Sequence, residues 1–347
     1  MDIKIAKEVI ECLPQGKTAF HYYKDRYAAF ILSEVIKKSC RVSDLKKSDY
    51  SGLLNKPVIK EIVARSGDGI LRQDQLDLLW AESSEPFLLS LDTWGHGQRN
   101  WDQVSRSGHN LVLQLNFSNK HDTLFRKLVN PDHDNDDRDH GFRYFDHPVM
   151  KKGKRDLFRE TLAWARIDFD FNTNEALIEE LQTDWLRIAR RKLKQIERGY
   201  GQHYLYGADT TPKKMKSYLK SILLTYGKIW DEAILMAAMK FIRQELGINI
   251  IYIHTPDTGA AVKKIKYRQP PRSLYTTLPR KFCFNQTDQA PEFLYQSRAF
   301  RKLEKKLGGT QWNYINLARV QVNLGGNYDK TDKDEIEKSR RDVTLVA

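Results

Sequence analysis

The stretch Glu175–Trp185, EALIEELQTDW, admits two readings, and the fold turns on which one holds. Read forward into LRIARRKLKQIER it opens one long charged helix, with Leu177, Leu181, Trp185 and Ile188 on a single stripe. Read backward into AWARIDFDFNTN it is the second arm of a β-hairpin. Glu, Ala and Leu are strong helix formers, so local propensity favours the first reading. The alternating run AWARIDFDF favours the second, because such a strand needs an antiparallel partner and the polar turn NTN supplies one at once. The hairpin reading is preferred. It places Leu177, Glu179, Leu181 and Thr183 on one face, Ala176, Ile178, Glu180 and Gln182 on the other, and Asp184 as N-cap of a new helix.

The chain of 347 residues suits one large domain or two modest ones, at ~150 residues per domain. Residues 1–85 read as helical, with AAFILSEVIKKS and KPVIKEIVARS carrying apolar residues at spacings of three and four. From 86 to 326 the texture is that of a mixed α/β domain. PFLLSLDTW and HNLVLQLNFS read as strands, IWDEAILMAAMKFIRQELG as a helix closed by Gly247, and INIIYIHT as a buried strand. Residues 327–347 form a polar tail expected to be mobile. The fold class expected is α/β (α+β), with a mixed, largely antiparallel central sheet flanked by helices and a helical N-terminal extension.

The start carries charges at positions 2, 4, 7 and 8, unlike a signal peptide, and no apolar run exceeds AILMAAM. Cys12, Cys40 and Cys283 are few, odd in number and widely spaced. These features point to a cytoplasmic protein with reduced thiols and no membrane span.

The formal net charge is +13, and it is clustered. From Arg187 to Lys220 ten Lys/Arg face only Glu197 and Asp209, and from Lys263 to Lys281 there are seven Lys/Arg and no acid. Such a field draws polyanions, whether nucleic acid such as tRNA or an acidic protein, with Arg187, Arg190, Arg191, Lys194, Lys213 and Lys214 as the contact candidates. A basic solvated surface is the plain alternative. The run Asp132–His140, with His121 and His147 nearby, has metal-ligating side chains but no recognised spacing, so it reads as a solvated acidic loop and no metal is expected. PQGKT (14–18) lacks the upstream glycine of a phosphate loop. Trp94, His96, Arg99 and Trp101 in TWGHGQRNW suit a loop over a site.

The order hairpin, long helix ending in glycine, strand INIIYIHT, helix, then LYTTLPRKFCF (274–284) resembles the GNAT superfamily of N-acyltransferases. ELQTDW (180–185), followed by a helix opening at Trp230, also resembles an E-[IL]-Q-[ST]-D-W domain of phage and mobile-element polyvalent proteins. Together the resemblances span roughly 110–293. The first implies transfer of an acyl group from acetyl-CoA or another acyl-CoA to an amine, with Glu180 or Glu179 as base and Tyr275 as acid. Glu180 is preferred, since neighbouring strand residues alternate faces and the second motif includes it. The resemblance also implies a pyrophosphate loop [QR]-x-x-G-x-[GA], to which only Gly227 of LTYGKIW conforms. Gly227, Lys228 and Thr255 are the donor-binding positions it implies. The rival expectation is a non-enzymatic GNAT-fold protein of phage or mobile-element origin that binds nucleic acid or a partner. An ADP-ribosyltransferase using Glu180 is a third, lacking a partner motif.

Overall fold

The computed structural model describes residues 1–12, 18–36, 38–77, 84–95, 103–128, 142, 147, 159–200, 210–265 and 269–317. The tail from 327, the Asp132–His140 run, and His96, Arg99 and Trp101 lie outside them. Within the described residues the chain is mixed α/β. The strands are β1 (Thr18–Tyr22), β2 (Ser39–Arg41), β3 (Ile70–Arg72), β4 (Glu85–Trp94), β5 (Asn110–Asn116), β6 (Thr161–Asp170), β7 (Glu175–Gln182), β8 (Ile250–His254), β9 (Asn285–Thr287) and β10 (Trp312–Asn316). The α-helices are α1 (Ile3–Cys12), α2 (Arg26–Val35), α3 (Val42–Leu45), α4 (Pro57–Arg65), α5 (Gln73–Asp77), α6 (Asn119–Leu128), α7 (Asp184–Glu197), α8 (Pro212–Thr225), α9 (Trp230–Gln244), α10 (Pro256–Val262), α11 (Thr277–Lys281) and α12 (Arg298–Leu307).

The central sheet has eight strands in the order β1-β4-β5-β6-β7-β8-β10-β9. Every neighbouring pair is antiparallel except β7 and β8, which run parallel. Parallel neighbours need a crossover, and α7, α8 and α9 provide it. The largely antiparallel sheet flanked by helices agrees with the sequence reading.

EALIEELQ is a strand, as the hairpin reading requires: Trp164 pairs with Gln182 and Asp170 with Glu175. Two details differ from expectation. The N-cap of α7 is Thr183, whose Oγ1 accepts from the Leu186 amide at 3.3 Å, and Asp184 already lies inside the helix. The alternation is also broken by a β-bulge, since Arg166 pairs with Glu180 and Ile167 with Ile178, leaving Glu179 without a partner. Ile178 and Leu181 therefore both join the larger core, while Leu177 joins a smaller one.

The larger core lies between the sheet and helices α2, α7, α8 and α9. Helix α9 combines good helix formers, Asp231 and Glu232 in its first turn and Arg243 in its last, matching the helix dipole at both ends. Gly247, at φ +70°, turns the chain toward β8. The smaller core gathers Leu177, Tyr252, Val262, Phe293, Phe300 and Trp312.

The first 85 residues contribute more than helices. Phe20 and Tyr22 alternate inward along β1, which extends the sheet beside β4, and α2 packs into the same core. At five residues β1 is too short for its period to stand out among helical neighbours. The LYTTLPRKFCF stretch is a 3₁₀ turn followed by α11, and the returning strand β9 begins only at Asn285.

Candidate functional site

The parallel ladder between β7 and β8 runs from Glu175 with Ile250 to Ile178 with Ile253, then stops. Beyond it β7 continues through the bulge to Gln182, so the two strands part where Glu179 leaves the ladder. Unpaired main-chain groups away from water need other partners. One is Lys263, just past α10, whose Nζ donates to the Glu179 main-chain oxygen at 2.7 Å. Lys263 is itself buried.

The Glu179 side chain is fully buried. The Ser105 amide donates to its Oε1 and the Ser105 hydroxyl to its Oε2, each at 2.8 Å, and His254 Nε2 lies 3.0 Å from Oε2. Burial opposes ionisation, yet the His254 hydrogen bond and charge, helped by Lys263 and Arg166, hold the carboxyl down at about 2. His254 is buried too, and burial lowers its pKa despite Glu179, so the ring is neutral. A neutral ring facing a carboxylate through Nε2 carries its proton there. Its Nδ1 is then a bare lone pair, and that atom is buried without a hydrogen-bond partner.

Glu180 is ion-paired with Arg166, whose guanidinium also donates to the Gln103 main-chain oxygen at 3.1 Å and stacks over Trp94. Burial would raise the Glu180 carboxyl, but Arg166 and Lys263 keep it below its usual value. Alternation would have sent Glu179 and Glu180 to opposite faces. The bulge instead lets both carboxylates face one charge cluster with Arg166 and Lys263, two anions against two cations.

His254, Thr255, Gly259, Lys263 and Tyr275 line a cavity of about 20 Å³. Burial pushes the Tyr275 phenol up, so it is protonated, and its hydroxyl has no hydrogen-bond partner. Asn313 Nδ2 donates to the main-chain oxygens of His254 (3.1 Å) and Tyr275 (3.2 Å), tying the two chain segments together. Thr255 caps α10, its Oγ1 accepting from Thr258 and donating to the Gln311 main chain. Gly259 leaves room for the imidazole, since a Cβ there would sit 3.1 Å from His254 Cβ.

Glu179, Glu180, Tyr275 and Thr255 are thus brought together. Gly227 and Lys228 are not part of this cluster: they lie in a 3₁₀ turn between α8 and α9, with Gly227 near Arg190 and the Lys228 carbonyl accepting from Lys24. The helix that directly follows β7 is α7, and its first turn presents Asp184, held by His147 (2.7 Å), Gln182 (2.7 Å) and Arg187 (2.6 Å). Arg187, Arg190, Arg191, Lys194, Lys213 and Lys214 are exposed on the packed pair α7 and α8.

Sequence reading passed over His254, Ser105, Arg166 and Lys263 as site residues. His254 had one available signal, a histidine closing a buried strand before the helix-capping run TPDTG. Among the described residues no group of three or more His, Cys, Asp or Glu side chains is placed to hold a metal ion, and no helix is long and apolar enough to cross a membrane. Comparison with protein-family models, with curated proteins and with solved structures finds no match.

Proposed function

We propose that this chain is a GNAT-type acyltransferase, moving an acyl group from a CoA thioester to an amine. The observation that carries the reading is the parting of β7 and β8 beside a buried Glu179–His254 pair and Tyr275. Strands without a ladder partner offer main-chain groups to an extended, amide-bearing ligand, which the pantetheine arm of coenzyme A is. The sheet order on both sides of that gap is also the one the family resemblance implies.

In this reading His254, rather than Glu180, is the base. Glu179 fixes the tautomer, so Nδ1 is the atom free to take the amine proton. Glu179 and Ser105 are positioning residues, and Tyr275, protonated at neutral pH, gives its proton to the departing thiolate. Glu180 balances Arg166.

The non-enzymatic reading has its own support. Asp184 places a carboxylate at the helix end where a phosphate would otherwise be welcome, and α7 and α8 present exposed cations suited to nucleic acid.

Calorimetry with acetyl-CoA, followed by thiol-release assays over amine acceptors including tRNA and peptides, separates the two. The acyltransferase reading expects saturable binding, and it expects His254→Gln to lower turnover about 10²–10⁴-fold with binding retained. Absence of binding at millimolar donor would end it. Nucleic-acid affinity that falls steeply with salt would then favour the second reading.

A further inference from the structure

We propose that Lys263 is itself an acyl acceptor, so that the chain acylates its own buried lysine from a CoA thioester bound between β7 and β8. This rests on the acyltransferase reading above.

Lysine is almost never buried unless paired. Lys263 nevertheless sits inside the gap, its Nζ 2.7 Å from the main-chain oxygen of the bulge residue Glu179. It shares a small cavity with His254 and Tyr275, each of which has a buried polar atom without a hydrogen-bond partner. An amide at Lys263 would keep one N–H for the Glu179 oxygen and add a carbonyl that the Tyr275 hydroxyl can satisfy. It would also replace a buried cation with a neutral group, which costs less to desolvate. Burial lowers the Lys263 pKa although Glu180 opposes it, raising the share of reactive free amine.

The step balances without a further reagent. The neutral Nζ attacks the thioester carbonyl carbon, the C–N bond forms and the C–S bond breaks. The surplus amine proton passes to His254 Nδ1, the thiolate takes the Tyr275 proton, and proton return from His254 restores the phenol. The products are an Nζ-acyl lysine and free coenzyme A.

The test is peptide-resolved mass spectrometry of the full chain after incubation with acetyl-CoA, and separately with S-acetyl-N-acetylcysteamine. Lys264, adjacent and exposed, serves as internal control for uncatalysed acylation. The proposal expects acetyl occupancy at Lys263 roughly tenfold or more above Lys264, as an activated amine demands. It also expects His254→Gln to reduce Lys263 labelling by about 10²-fold. Equal or greater labelling of Lys264 would overturn it. So would an unlabelled Lys263 while thiol release onto added amines proceeds, an outcome that leaves the acyltransferase reading standing. Absence of both donor binding and thiol release would remove both. The decisive comparison is made on the unaltered chain, so no variant needs to fold.

Discussion

His254 meets Glu179 through Nε2 at 3.0 Å, and the same nitrogen lies 3.0 Å from the Ser105 hydroxyl, so carboxylate and hydroxyl converge on one edge of the imidazole. Three groups on one nitrogen leave the other edge bare. This differs from a serine-type triad, in which acid and nucleophile occupy opposite ring nitrogens. Nitrogen-15 shifts of His254 should therefore report a neutral ring with the proton on Nε2 at pH 7. A protonated Nδ1 would contradict the arrangement.

Glu179→Gln keeps the shape of the side chain and removes its charge, leaving Arg166 and Lys263 opposite Glu180 alone. Breaking a buried, hydrogen-bonded ion cluster costs about 3–5 kcal/mol. Chemical denaturation should show a loss of this order. Lys263→Met in the same background should recover part of it by removing the surplus cation.

Gly259→Ala sets two effects against each other. Alanine favours the helix by about 1 kcal/mol. Its Cβ would stand 3.1 Å from His254 Cβ and 3.4 Å from Cγ, and crowding of this kind costs about 1–3 kcal/mol. The melting temperature should fall only slightly, while acyl transfer should fall sharply because the ring must move. A variant with full turnover would show that His254 placement is not limiting.

Stability should decline toward acid in two stages of the same sign. The lowered His254 pKa means that the unfolded chain takes up a proton first, so stability present above about 6.5 is lost as pH drops toward the folded value. Glu179 goes from 4.5 to about 2, so its contribution, on the order of a few kcal/mol, is present above 4.5 and lost as pH falls to about 2. Denaturation midpoints measured from pH 8 to 3 test this. Glu179→Gln should flatten the curve below 4.5.

Asp168 has a fully buried side chain that receives two cations, the Met1 ammonium at 3.0 Å and Arg106 through Nε at 2.7 Å and Nη2 at 3.0 Å. Asp168→Asn should cost about 3–5 kcal/mol, because it strands both. Asp170→Asn, whose carboxylate meets Arg106 only at 3.5 Å, should cost less than about 1 kcal/mol. Equal losses in the two variants would refute this ranking.

The hairpin, the long helix and the strand INIIYIHT were legible because each has a clear period and clear punctuation. The β7 bulge was not, since an extra residue in EALIEELQ leaves no mark on composition. That omission explains the choice of a single glutamate: strict alternation sends Glu179 and Glu180 apart, and only the bulge unites them. Ser105, Arg166, His254 and Lys263 come from distant parts of the chain, so no spacing rule joins them. The short β1 was hidden by the helices around it.

The bulge also separates the requirements of the fold from those of the site. Ile178 and Glu180 already pair with adjacent residues of β6, so a chain lacking Glu179 would keep every rung of that ladder. It would lose only the carboxylate that holds Ser105 and His254 and the main-chain oxygen that holds Lys263. A single inserted residue in an otherwise ordinary strand is thus enough to assemble this centre, and a single deletion would return the strand to plain scaffolding.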